Sequence, residues 1–167
     1  MDVAINITRK DAPFKVTGQA KYAADFLQPG TLHACLATSP VAHGMLNHLN
    51  LEKARQAPGV KAVITGNDKM PLVGILLQDR PILATGQIRY MGEPLALVVA
   101  QTQAQAEYGA GLIRADISPL PAADSVDTAL APDAPLLHPE AVQYASLVED
   151  VLPVAGTNIA AKFQIRK

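Results

Sequence analysis

The six residues LALVVA, Leu95 to Ala100, constrain the fold of this chain more than any other stretch. In a strand with one wet face, apolar and polar residues alternate, because successive side chains point to opposite faces. An unbroken apolar run of this length predicts a strand buried on both faces. The residues leading into it, RYMGEP from Arg89 to Pro94, bring an arginine, a tyrosine and a glutamate together. Arg89 and Glu93 are spaced i, i+4, but Gly92 and Pro94 exclude a regular helix between them. The two charges are therefore expected to make separate surface or interface contacts. The cluster reads as a turn feeding the strand, with Gly92 permitting an unusual dihedral and Pro94 in the strand's first position.

Thirteen prolines and eleven glycines cut the rest into short elements. TLHACLAT (31–38) predicts a strand stopped by Ser39-Pro40. Asn50 predicts a cap for a helix over LEKARQA (51–57), with Glu52 suiting the dipole and Pro58-Gly59 ending it. VKAVIT (60–65) follows as a strand, closed by the turn-forming Gly66-Asn67-Asp68. Lys69 to Thr85 reads as a long loop holding at most a two-residue bridge. After the buried strand, Thr102 caps an alanine-rich helix, TQAQAEYGAGLIRA, expected to pack through Tyr108 and Leu112, in line with Ala104. Gly109 and Gly111 weaken its second half, and LIRADIS (112–118) begins to read as strand. Asp124 predicts a cap for a short helix through Leu130. The closing NIAAKFQIRK carries no capping or turn signal and reads as a chain that was cut or that continues on another polypeptide.

Composition narrows the function classes. A length of 167 residues fits one domain with a modest excess, and the net charge of −1 argues against nucleic acid or an acidic membrane as partner. With 49% hydrophobic and 17% charged residues, some apolar surface is expected to cover a partner. The single Cys35 excludes an internal disulfide, a cysteine-rich zinc site and an iron–sulfur cluster, and it reads as a buried small hydrophobe. No signal-like start and no bilayer-length apolar run is present, so a soluble, cytoplasmic location is expected.

Motifs for chemistry are missing. Neither G-x-G-x-x-G nor G-x-x-x-x-G-K-[ST] occurs, and the Gly109-Ala110-Gly111 triplet lies inside a helix pattern. Of the histidines His33, His43, His48 and His138, the middle two are five apart, unsuited to paired helical metal ligation. Solvated or hydrogen-bonded structural roles are expected for these two. Ser39, Ser118, Ser125 and Ser146 lack a nucleophile elbow. Asp25, Asp79, Glu93, Asp116 and Asp124 stand singly, and sequence pairs none of them as acid and base. No catalytic, cofactor-binding or metal-binding residue is assigned.

Four phrases, in one order and spacing, resemble the large subunit of the molybdenum hydroxylases, the xanthine dehydrogenase and aldehyde oxidase family. They are RKDAPFKVTGQAKYAADF, LHACLATSPVAHGML, APGVKAVITGND and IRYMGEPLALVVAQTQAQAE, lying between residues 9 and 107 in a resemblance read over residues 9 to 138. The resemblance covers the family's N-terminal α/β hammerhead domain. It implies an α+β fold: a mixed sheet with short packed helices. The implied layout is a lead-in segment over 1–30, the hammerhead over 31–138, and over 139–167 a linker or the start of the molybdopterin-binding region. In such a family the complete assembly oxidises an aromatic heterocycle or an aldehyde. Its molybdopterin lies in later domains, with iron–sulfur clusters on a partner subunit and commonly a flavin beyond. This chain would then carry no cofactor and contribute packing, subunit contact and part of the substrate channel. Within VGILLQDRPILA, Leu76 and Leu77 are implied at the channel mouth; loop-anchoring leucines are the other reading. The family's Y-E-x-L-P phrase is replaced by Ile117-Ser118-Pro119-Leu120-Pro121, and its characteristic asparagine is placed at Asn158. The competing expectation is a free-standing hammerhead module that binds a protein or a small ligand.

Overall fold

The computed structural model describes residues 9–75, 77–138, 145–146 and 154–159. The chain forms two compact units that divide between Thr31 and Leu32. In the first, a short helix α1 (Ala12–Val16) takes Pro13 in its opening turn, where a missing N–H costs nothing. Asp11 precedes it and meets Lys15 at 2.6 Å and Arg9 at 3.1 Å. Lys15 first, and Arg9 second, hold the Asp11 carboxyl below the usual carboxylate range. A 3-10 turn, Ala23–Asp25, follows, in which the Asp25 carboxylate accepts the Tyr22 N–H at 2.8 Å.

The second unit begins with β1 (His33–Thr38), β2 (Gly44–Asn50), α2 (Glu52–Arg55) and β3 (Val60–Thr65). Four short strands come next: β4 (Leu72–Val73), β5 (Leu77–Gln78), β6 (Arg80–Pro81) and β7 (Gln87–Ile88). Then come β8 (Pro94–Ala100), α3 (Gln103–Leu112), β9 (Arg114–Pro119), α4 (Val126–Leu130) and β10 (Ala145–Ser146). Among the described residues, the strands assemble into two three-stranded sheets, β1-β8-β3 and β7-β2-β9, and two pairs, β10-β5 and β4-β6. Each of these pairings is antiparallel.

The apolar run is the middle strand of its sheet, but only one of its faces is fully covered. Ala96, Val98 and Ala100 are buried on that face, whereas Leu97 and Val99 on the other are half-buried, beside the exposed Leu36 and Ala62. Cys35, Val98 and Val63 stand in register across it. Ala96 and Val98 face a core completed by Ala54, Ala110 and Ile113. Leu95 points into a second core with Ala84 and Ile88. Cys35 is half-buried and packs against the first core, close to the small-hydrophobe reading.

Helix α3 starts as expected, with the Thr102 hydroxyl accepting the Gln105 N–H at 3.3 Å. Its packing face differs from the expectation. Tyr108 is 59% exposed, and the buried residues are Ala106, Gly109 and Ala110. Leu112 does pack against the core. A Cβ on Gly109 would stand 2.9 Å from Val98 Cγ1 and 3.0 Å from Val60 Cγ2. The helix therefore lies too close to the sheet for a large side chain, and small residues form its inner face. A glycine that lowers helix propensity is what permits this approach.

Other elements depart from the local signals. β2 has no sequence expectation, because its Asn and His residues dilute the alternation and its ladder with β9 shifts register between Leu46 and His48. Helix α2 is shorter than 51–57, although Asn50 Oδ1 does accept the Glu52 N–H at 3.3 Å. Ser125, rather than Asp124, caps α4 by accepting the Thr128 N–H at 3.2 Å. Asp124 instead accepts a bond from the Thr128 hydroxyl at 3.2 Å.

Candidate functional site

Two neighbouring segments carry the residues singled out by sequence: the loop between β3 and β7, and the turn that feeds β8. Where at most one bridge was expected, the loop holds the three two-residue strands β4, β5 and β6. Leu72 pairs with Pro81 and Val73 with Arg80, so β4 and β6 make the base of a hairpin. The loop is pinned at its start and at its end. At its start, Asp68 Oδ2 accepts the Thr65 N–H at 2.7 Å. At its end, the Ala84 N–H donates to Pro94 O at 2.7 Å. Gly66 sits there without a Cβ, which would fall 2.7 Å from Leu83 O and 2.8 Å from Ala84 O.

At the hairpin tip, Ile75 is 87% exposed. It lies in the same GILL phrase as the two leucines assigned by resemblance, and sequence reasoning passed it over. Leu76 lies outside the described residues. The Leu77 backbone pairs with Ser146 in the β5–β10 ladder, and its side chain lies outside the description.

The turn before β8 corrects one expectation. Arg89 and Glu93 do not make separate surface contacts. Glu93 is 1% exposed, and its Oε2 accepts the Arg89 backbone N–H at 2.6 Å. Its Oε1 stands 3.9 Å from Arg89 Nη1, beyond hydrogen-bonding distance. A buried carboxylate thus closes the turn from inside. This part of the structural reading holds: Gly92 has φ +85° and Pro94 opens β8. The Gly92 N–H donates to Ser39 O, and the Ser39 N–H to Glu93 O, each at 2.9 Å. The effect is to brace Tyr90 and Met91, 42% and 67% exposed, on a rigid tip.

The remaining candidates are structural. His43 is buried, with Nδ1 bonded to Pro121 O and Nε2 at 3.0 Å from Gln87 Nε2. His48 is exposed on β2, and His138 Nε2 approaches Asp79 Oδ2 at 3.4 Å. The Ser39 hydroxyl donates to Val41 O at 2.9 Å, with no histidine beside it among its bonds. A cleft of about 370 Å³ runs past His48, Arg55, Thr65, Asp68 and Thr85, and its carboxylate is already committed to Thr65. Among the described residues, no group of three or more His, Cys, Asp or Glu could hold a metal ion, and no helix is long and apolar enough to cross a membrane. A lone cysteine cannot ligate an iron–sulfur cluster, and no glycine-rich loop cradles a pterin phosphate. The described residues therefore do not fit a molybdopterin, an iron–sulfur centre or a flavin.

The sheets and short helices agree with what comparison with known proteins shows. Residues 17–121 match the family model described as "Aldehyde oxidase and xanthine dehydrogenase, a/b hammerhead domain", and the chain belongs to that family. It is 35% identical over 144 residues to the xanthine dehydrogenase molybdenum-binding subunit of Escherichia coli, covering 78% of this chain and 19% of that one. It is 33% identical over 138 residues to the nicotinate dehydrogenase large molybdopterin subunit of Eubacterium barkeri, covering 80% and 32%. The aldehyde oxidoreductase structure from Desulfovibrio gigas superposes with a TM-score of 0.71 at 32% identity, over 79% of this chain and 16% of that one. The chain thus spans a minor part of each relative, among them a molybdenum-binding subunit and a large molybdopterin subunit.

Proposed function

We propose that this chain serves as the hammerhead portion of a molybdopterin-dependent hydroxylase large subunit, acting in the cytoplasm. In the complete assembly, an aromatic heterocycle or an aldehyde is oxidised. The molybdenum cofactor is held by other domains or another subunit, and electrons leave through an iron–sulfur subunit and a flavin subunit. This chain contributes packing, subunit contact and one wall of the substrate channel. The observation that carries the reading is the match to large molybdenum subunits across 78–80% of the chain. Ile75, exposed at the hairpin tip beside Leu76 and Leu77, supports the channel role, since function concentrates on loops held by a rigid scaffold.

Co-expression with the molybdopterin-binding and iron–sulfur parts tests this. The expected result is a complex that contains this chain and oxidises heterocycles or aldehydes with an artificial electron acceptor. Within it, Ile75→Ser or Leu77→Ala should raise the apparent KM by up to about 10–200-fold at most, with the melting temperature nearly kept. A chain that remains a monodisperse monomer, does not co-purify and leaves turnover unaffected by its omission would favour the free-standing module.

A further inference from the structure

The β1-β8-β3 sheet has two faces of unequal cover. On the Val98 side, Ala96 and Val98 pack with Ala54 of α2 and Ala110 of α3. The register defines the other side: Leu36 and Ile64 flank Leu97, while Ala34 and Ala62 flank Val99. Ala34, Leu36 and Ala62 are exposed there, Leu36 to 46%, and Ile64, Leu97 and Val99 are half-buried. None of these six side chains carries a polar atom. Apolar residues scattered singly on a surface need no explanation, but six ranked across three strands form a continuous patch.

Strand addition at the β3 edge does not suit this sheet. The β3–β8 ladder shifts register between Val60 and Ala62, which leaves Lys61 as the extra residue on the edge strand. A bulge and a lysine are devices that keep a further strand from pairing. Cover has to come over the face instead, and the size of the face selects what can supply it. Three strands of six or seven residues, with ~4.8 Å between strands and ~3.4 Å per residue, present a plane of about 300 Å². A stable interface between free proteins takes about 800 Å² from each side. A second copy seated on this face alone falls well short. A body also held to the chain elsewhere meets no such threshold, because its effective concentration at the face is already high. The molybdenum-binding relatives contain such a body, being several times longer than the part this chain matches.

We propose, resting on the large-subunit reading above, that the face bearing Leu36, Leu97 and Val99 is the interface through which this chain packs in the assembly. Its occupant is an uncharged, apolar surface of the molybdopterin-binding remainder of the large subunit. The LALVVA run has no polar position to turn toward water, and the occupant supplies the cover that its second face lacks here. Helix α3 keeps the first face, so the strand ends buried on both sides.

Ala62→Cys sets a thiol on the exposed rim of this face, and the parent chain, with Cys35 alone, gives the background. Maleimide labelling is followed by mass on the full chain, alone and co-expressed with the molybdopterin-binding part. In the complex the introduced thiol should react about tenfold slower or more than in the chain alone, where it is open to solvent. Leu36→Lys should keep the parent's melting curve in the isolated chain and weaken association about tenfold or more, because it buries an unpaired ammonium. If Leu36→Lys melts below the parent, Ala34→Lys replaces it at another exposed position of the face. A complex in which the introduced thiol stays freely reactive, or in which the lysine variant associates like the parent, overturns the interface and leaves the large-subunit reading standing. Failure of the parent chain to form any complex refutes that reading, and the occupant with it. Dimers of the isolated chain that protect the introduced thiol would give the face to a second copy and overturn the proposal.

Discussion

Two glycines in helix α3 offer a measurement of how closely it lies on its sheet. Gly109 and Gly111 sit two residues apart in the same helix, and alanine at either improves helix propensity by up to about 1 kcal/mol. Their surroundings differ. A Cβ at Gly111 meets nothing within 4 Å, whereas at Gly109 it would lie 2.9 Å from Val98 Cγ1 and 3.0 Å from Val60 Cγ2. Comfortable carbon contacts are about 3.5–4.0 Å, so Gly109→Ala must lift the helix by roughly 0.5 Å or turn two core valines. Overpacking of this kind costs about 1–3 kcal/mol. The propensity gain offsets part of that cost at Gly109, and nothing opposes it at Gly111. The two variants should therefore differ by about 1–3 kcal/mol, Gly111→Ala above the parent and Gly109→Ala at or below it. In a chain of this length, each kcal/mol moves the melting temperature by about 2–4 °C. Far-UV circular dichroism melts, with urea titrations to check that the slope is unchanged, would read the difference. Equal melting temperatures, or a Gly109→Ala variant more stable than the parent, would refute the close approach.

Glu93→Ala should cost about 2–3 kcal/mol by stranding the buried Arg89 N–H. Glu93→Gln, which keeps an acceptor, should cost about 1 kcal/mol, and urea midpoints that do not separate the two would mean the carboxylate does not close the turn. Val98→Asp should prevent folding, because an unpaired charge on a 0% exposed side chain costs several kcal/mol of a stability near 5–15 kcal/mol; a native-like melt of the variant would contradict the burial. Lys15 and Arg9 lower the folded pKa of Asp11, so the contribution of this group is full above its unfolded value near 3.9. It is lost as pH falls through the lowered value. An NMR titration should find the Asp11 midpoint below that of Asp11 in an unfolded peptide, and a coincident midpoint would remove the ion pairs as its cause.

Local sequence determined the elements whose signals are local. The LALVVA run marked a strand that needs cover, and it became a central strand, although Leu97 and Val99 on one face are only half-buried. Gly92 and Pro94 marked a turn and a strand start from the dihedrals that each residue type allows. Thr102 marked a helix start because its hydroxyl can satisfy an otherwise unpaired N–H. The order of four phrases carried the family. Contacts between distant residues left no such trace. Glu93 reads as a surface charge until the turn folds back and buries its carboxylate on Arg89. Tyr108 has the right spacing to face the sheet, yet the approach of α3 to Val98 admits only small residues there. β2, β5 and β10 are strands because each finds a partner across the fold, not because of any strong strand pattern of its own. Asn158 stands out in sequence only through resemblance, and its three hydrogen bonds exist because the chain returns to residues 129–137. Propensity, caps and turns are properties of a few adjacent residues and can be read along the chain. Burial, close approach and side-chain-to-backbone closure depend on segments brought together from far apart, and only the tertiary structure decides them.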